Sequence, residues 1–289
     1  MSTQEAAPAS APAGIGPTGW APVVALSVFL MVLGGLAYLH PGMFGAEVEP
    51  AIAKAGPAML LVGVVPFAVA LLFWFRSDMR FDARYPDFAA GKVPEQRTAM
   101  ILFLVSEAFF FFGFFWAFIR FGVNPEFAGA STWPPLGIAP EDPWGMPLFA
   151  TIILVVSGAF AAAGHNMFLL GRRAEAAVLL GIAVVYGAIF LGLQVREFLT
   201  APFAYSDGSY ASLFFLAVGF HGVHVFIGAT LLLIAALRLL GSSFQPRHHF
   251  GLEASIWYWH FVDAVWLLLF LVFYWWPSAQ GAIERTLGL

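Results

Sequence analysis

MILFLVSEAFFFFGFFWAFI, residues 100–119, is an apolar run long enough to cross a bilayer, and it carries one ionisable side chain, Glu107, among phenylalanines. A carboxyl group in hydrocarbon must be paired, hydrated or held protonated, and each alternative costs free energy that a leucine does not. Arg97 lies about ten residues away along the same helix, nearly three turns at ~1.5 Å per residue, too far for direct pairing. Glu107 is therefore expected to be uncharged, and it is a candidate functional residue.

The rest of the chain has the same solvent. Of 289 residues, 61% are hydrophobic and 10% charged, with 32 phenylalanines and 10 tryptophans, which describes an all-α polytopic membrane protein. Seven segments are long enough to span, at about 20–39, 57–75, 98–119, 147–170, 176–195, 210–240 and 254–276. His40-Pro41-Gly42, Asn124-Pro125 and Trp276-Pro277 supply the breaks after the first, third and last. Residues 1–19 hold no Lys or Arg and read as a disordered Ala/Pro/Gly/Ser tail, leaving 20–289 as a single seven-helix domain. Of the 13 basic residues, only Lys54, Arg120, Arg196 and Arg285 fall on the side opposite the N-terminus. That asymmetry predicts a cytoplasmic N-terminus and a C-terminus outside.

Several function classes are excluded by composition. A net charge of −4 is wrong for a nucleic-acid binder. The absence of cysteine rules out thiolate metal sites and iron–sulfur clusters, so any metal would need His and carboxylate ligands. His221 and His224 are three residues apart, as are His260 and Asp263, spacings that place both members on one helix face. Either pair could in principle ligate a metal, but a redox centre needs more histidines spread over several helices. The reading favoured for His165, His221, His224, His260 and Asp263 is hydrogen bonding between helices, with no metal. Trp133, Trp144, Trp257, Trp259, Trp275 and Trp276 lie near expected membrane boundaries and suit interfacial anchoring.

The strings GFHGVHVFIGAT (219–230) and HHFGLEASIWYWHFVDAVWLLLFLVFYWW (248–276), with MILFLVSE (100–107), GFFWAFI (113–119) and WPPLGI (133–138), closely resemble subunit III of the heme-copper terminal oxidases, above all the cytochrome c oxidase form. The resemblance runs through the third to seventh helices in order. Ala163-Gly164-His165-Asn166 departs from it, since the family usually has a second histidine there. The resemblance implies helices one and two in one group and three to seven in another, with a lipid-holding cleft between them. Its expected walls are Trp74, Arg76 and Arg80 on one side and Arg97, Glu107, Arg238, His249 and Trp257 on the other, Glu107 being the family's carbodiimide-reactive carboxyl. The paired histidines His248 and His249 are candidate proton-antenna groups, because imidazole titrates nearest working pH.

The function implied by the resemblance is that of an accessory subunit without catalytic residues, redox centres or metal of its own. It would bind phospholipid, contact chiefly oxidase subunit I and also subunit II, which carry the heme and copper, and be able to join a respiratory supercomplex. A bacterial plasma membrane with a periplasmic C-terminus is expected in preference to the mitochondrial inner membrane. Two alternatives stay open: the equivalent subunit of a quinol oxidase or nitric-oxide-reductase assembly, and an independent seven-helix receptor or transporter. Against a retinal-type receptor, the only lysines, Lys54 and Lys92, fall in loops. Against a transporter, the chain has neither an internal repeat nor paired broken helices.

Overall fold

In a computed structural model, which describes residues 20–39, 49–84, 93–241, 244 and 249–280, the apolar runs are helices and no strand occurs among the described residues. In order they are α1 (Ala21–Leu39), α2 (Glu49–Arg84), α3 (Val93–Val123), α4 (Met146–Leu169), α5 (Arg173–Thr200), α6 (Ser209–Leu240) and α7 (Phe250–Leu269). Six helices are long and apolar enough to cross a membrane, and the apolar part of α1 is shorter, Pro22–Tyr38. Helix α2 extends well beyond the expected 57–75, with Pro57 and Pro66 inside it. Hydropathy finds only the hydrocarbon-facing turns, whereas the hydrogen-bonded helix continues through the polar turns that carry Lys54, Arg76 and Arg80.

Contacts divide the chain into two compact units, Met1–Lys92 and Val93–Leu289. In the first, α1 and α2 meet backbone to backbone. A Cβ added to Gly34 would stand 2.5 Å from the Leu60 nitrogen, and one added to Gly56 would stand 2.7 Å from the Tyr38 nitrogen. Small residues at a crossing allow the close approach that substitutes for hydrophobic drive in lipid.

In the second unit, helix α3 buries Phe111, Phe115 and Phe118, one stripe at helical spacing, while Phe109 and Trp116 remain 72% and 61% exposed. The aromatic run therefore meets lipid or another protein on its outer face. Helix α4 turns Leu154 inward together with Ala150, Gly158 and Ala161, small residues that admit α5 and α7 closely. After α3 a 3-10 turn, Pro125–Ala128, ends at Gly129, whose φ of 71° is a conformation that side chains disfavour.

Tryptophans of α7 join the bundle together. The Trp259 indole fills a slot in which a Cβ on Gly187 of α5 or Gly228 of α6 would come within 2.6 or 2.8 Å of its ring. Its Nε1–H donates to Ser157 Oγ of α4 at 3.1 Å, and that hydroxyl donates to the Ala183 carbonyl of α5 at 2.8 Å. Further along the helix Trp266 repeats the device, donating to Thr151 Oγ1 at 2.9 Å. Trp259 is thus wholly buried and Trp133 nearly so, so neither is an interfacial anchor. Spacing from a helix end places them at the boundary, but the indole N–H of Trp259 finds its acceptor inside the bundle. Beyond Leu269 the helix widens into a π-helical segment, Phe270–Trp275, before resuming to Gln280.

Two substitutions test this core. Ser157→Ala leaves a buried indole N–H without its acceptor and is expected to cost about 1–3 kcal/mol. Gly228→Leu drives a branched side chain into the Trp259 ring and is expected to lower the thermal midpoint of the full chain in detergent further still. Thermal unfolding followed by circular dichroism ranks the two against wild type.

Candidate functional site

The carboxyl group of Glu107 has a partner on another helix. His224 of α6 places Nε2 3.0 Å from Glu107 Oε2, and its Nδ1 lies 2.7 Å from the Phe220 carbonyl oxygen one turn earlier. A carbonyl can only accept, so Nδ1 carries a hydrogen. Nε2 then either accepts from a protonated Glu107 or, as part of an imidazolium, donates to a carboxylate. In both arrangements a single proton lies between the two groups, and the pair is electrically neutral. Phe110, Phe111 and Tyr258 surround the imidazole, with ring centroids 6.3, 4.9 and 6.3 Å away. The Glu107 side chain is 25% exposed, at the edge of this aromatic enclosure.

A second polar cluster forms where three helix ends converge, since successive crossings bring the end of α4 and the start of α7 to the side on which α3 begins. Arg97 of α3 grips Glu253 of α7 through both arms of its guanidinium, Nε to Oε2 at 2.9 Å and Nη2 to Oε1 at 2.7 Å. This two-pronged geometry is the strong form of such a pair. His249, immediately before α7, brings Nε2 to 3.3 Å from Glu253 Oε1. His165, in the last turns of α4, lies beside it with its ring tilted by 50° and the centroids 5.9 Å apart. His165, His249 and Glu253 each offer one ligand atom, and the three atoms lie within 4.8 Å of one another, so this is the group that could hold a metal.

A third cluster joins α5 to the π-helical segment, where the Tyr274 hydroxyl donates to Glu197 Oε2 at 3.0 Å, both groups buried. In the loop before α4, burial first and neighbouring Asp142 second hold the Glu141 carboxyl above the usual carboxylate range.

The remaining sequence candidates fall elsewhere. His221 is fully enclosed by Phe111, Phe190 and Trp266, and neither ring nitrogen has a hydrogen-bond partner among the described residues. His260 and Asp263 pair with each other along α7 at 3.2 Å, rather than across helices, and Asp263 packs against Gly158. Arg76 and Arg80 are exposed on α2 and Trp74 is half-buried in the first unit. Arg238 lies over the Phe244 ring at 4.2 Å, Trp257 is half-buried, and His248 lies outside the described residues.

Sequence reasoning missed Glu253, Glu197 and Tyr274. For Glu253 a signal existed: it follows His249 by four residues, one turn apart on a helix, and opens the most distinctive string in the chain.

The family model for cytochrome c oxidase subunit III matches residues 15–278. Cytochrome c oxidase subunit 3 of Prototheca wickerhamii is 38% identical over 266 residues, covering 92% of this chain and 97% of that protein. The protein of the same name from Papio hamadryas is 39% identical over 263 residues, with 91% and 95% covered. That from Lycodon semicarinatus is 42% identical over 220 residues, with 76% and 84% covered. These relatives correct the expectation of a bacterial plasma membrane. They come from animals, algae and plants, whose subunit 3 is encoded in mitochondria, and a bacterial plasma membrane is not favoured.

The proton shared by Glu107 and His224 separates two substitutions. In Glu107→Gln an amide N–H replaces the acid O–H as donor to Nε2, and stability should change by less than ~1 kcal/mol. Glu107→Leu removes the donor and orphans a mostly buried ring nitrogen, with an expected loss of about 1–3 kcal/mol. Parallel thermal melts of the full chain in one detergent measure the difference.

Proposed function

Because the chain belongs to the cytochrome c oxidase subunit III family, we propose that it is the accessory core subunit of a proton-pumping cytochrome c oxidase, non-catalytic in itself, that binds phospholipid and supports proton uptake and durability of the catalytic subunit. Such a subunit is part of the oxidase complex. Subunit I is its main contact, subunit II is also adjacent, and heme and copper reside in those partners.

The observation that carries the reading is a set of intramembrane polar groups committed to one another. Glu107 and His224 share a proton, Glu197 receives Tyr274, and Trp259 and Trp266 are bonded within the bundle. That is the chemistry of a packed scaffold. A large apolar face remains on α3, where Leu102, Phe109, Phe112 and Trp116 are all more than half exposed, and it is suited to lipid or a membrane partner.

In this reading the first two helices and the last five are the two walls of a lipid-holding cleft. The two compact units, 1–92 and 93–289, group the helices in the same way. Arg76 and Arg80 supply exposed guanidinium groups on the smaller wall, and a guanidinium suits phosphate through its planar fork. Arg97 is half exposed while holding Glu253, so it offers a headgroup its remaining N–H groups. Proton uptake is supported through His249, at the end of the bundle where α3 and α7 begin, together with its sequence neighbour His248.

Purification of the full chain in mild detergent tests the assignment. A heme-bearing subunit I and a copper-bearing subunit II should accompany it, whereas recovery of the chain alone, or with a subunit II lacking copper, would exclude the cytochrome c oxidase assembly. Replacing His248 and His249 together by glutamine in the assembled oxidase should lower the apparent pKa of turnover and reduce the number of catalytic cycles before inactivation. Unchanged profiles would leave the scaffold role and remove the proton-handling one.

A further inference from the structure

We propose that His165, His249 and Glu253 form a site for a divalent transition-metal ion of the zinc class, with Arg97 as a built-in counter-cation that the metal partly displaces. The three ligands come from two helices and a helix-preceding residue, so no short sequence motif encodes them; the fold assembles them. Their ligand atoms lie within 4.8 Å of one another, and His249 Nε2 is already 3.3 Å from Glu253 Oε1.

The independent observation is His165 Nε2. It is buried and has no hydrogen-bond partner among the described residues. Buried polar nitrogens are almost always satisfied, and one left open beside a second imidazole and a carboxylate is oriented for a cation rather than for packing. His221 is the useful contrast. It is equally unpartnered, but aromatic rings enclose it and no acid stands near, so it satisfies none of the requirements of a ligand set.

The donor set is right in kind. Two imidazoles and one carboxylate, without thiolate, are a ligand combination that zinc accepts with a water in the fourth position. Zinc bonds of about 2.0–2.2 Å put neighbouring ligand atoms of a tetrahedron roughly 3.3 Å apart, so the group closes by about 1 Å or slightly more on binding. His249 precedes the helix and His165 lies near the end of one, where side-chain adjustments of this size do not disturb the buried tryptophan contacts.

Arg97 explains how the same carboxylate is stable without metal. Its Nη2 and Nε occupy Oε1 and Oε2 of Glu253, yet its own side chain is 47% exposed and can withdraw toward solvent. Ligation through Oε1, the oxygen nearer His249, displaces Nη2 and leaves the Nε–Oε2 bond as outer support for the ligand. A guanidinium so close to a dication opposes it, so the affinity depends on Arg97 and rises when that charge is removed.

The test uses the full chain in lipid nanodiscs, stripped with chelator and titrated with Zn2+ by equilibrium dialysis. Co2+ is used as a spectroscopic probe of imidazole coordination. Wild type should take up one tight equivalent. Binding should weaken at least tenfold in His165→Gln and in His249→Gln, and tighten at least tenfold in Arg97→Gln. Circular dichroism and elution volume establish that each variant is folded. X-ray absorption of the zinc-loaded wild type, expected to show two imidazole scattering patterns, reads the site without any substitution. No tight equivalent in wild type, an equivalent that survives both histidine changes, or absorption lacking imidazole overturns the site. Unaltered affinity in Arg97→Gln overturns the role given to Arg97.

Discussion

The packing of the larger unit depends on one indole. Trp259 occupies space that exists only because Gly187 and Gly228 have no side chains, and its N–H is satisfied by a serine on α4, whose own hydrogen goes to a carbonyl on α5. In hydrocarbon there is no hydrophobic drive to hold helices together, so shape and a few interior hydrogen bonds must do so. Trp259 supplies both at once, linking α4, α5, α6 and α7. The bonding of Trp266 to Thr151 continues the seam along the same helix.

Around that seam the ionisable groups are paired in ways that keep net charge low. Glu107 and His224 hold one proton between them, and Arg97 neutralises Glu253. An isolated charge at these depths would be costly. The two pairs differ in position and so in chemistry. The first is set among aromatic rings within the α3 and α6 spans. The second stands at the helix ends, beside two histidines, where ions can reach it.

The membrane-spanning, all-helical character was legible from composition and from runs of apolar residues, because lipid imposes length and hydrophobicity directly on sequence. Family membership was legible too, from strings such as WYWHFVD and GFHGVHVFIG. Pairing was not. Glu107 looked solitary because its nearest charged neighbour along the helix was Arg97, while its real partner, His224, lies 117 residues away. Arg97 in turn belongs to Glu253, 156 residues away. Trp259 looked like a boundary anchor because distance from a helix end is a one-dimensional measure, and the slot that buries it is made by glycines on two other helices. Helix periodicity orders residues on a face; it cannot say which face of which helix lies opposite.

The π-helical turn at Phe270–Trp275 divides α7 into two halves with separate rotational phase. An inserted residue rotates everything after it by about 100° relative to a continuous α-helix. Upstream, phase is fixed by Trp259 and Trp266 against α4. Downstream, it is fixed by Tyr274 against Glu197 and by Trp276, whose ring occupies the place of a side chain at Gly122 of α3. An unbroken helix could satisfy one set and would turn the other away. The wide turn is therefore the element that lets a single straight rod engage two sets of neighbours whose azimuths do not agree, and its length is held to one residue from both directions.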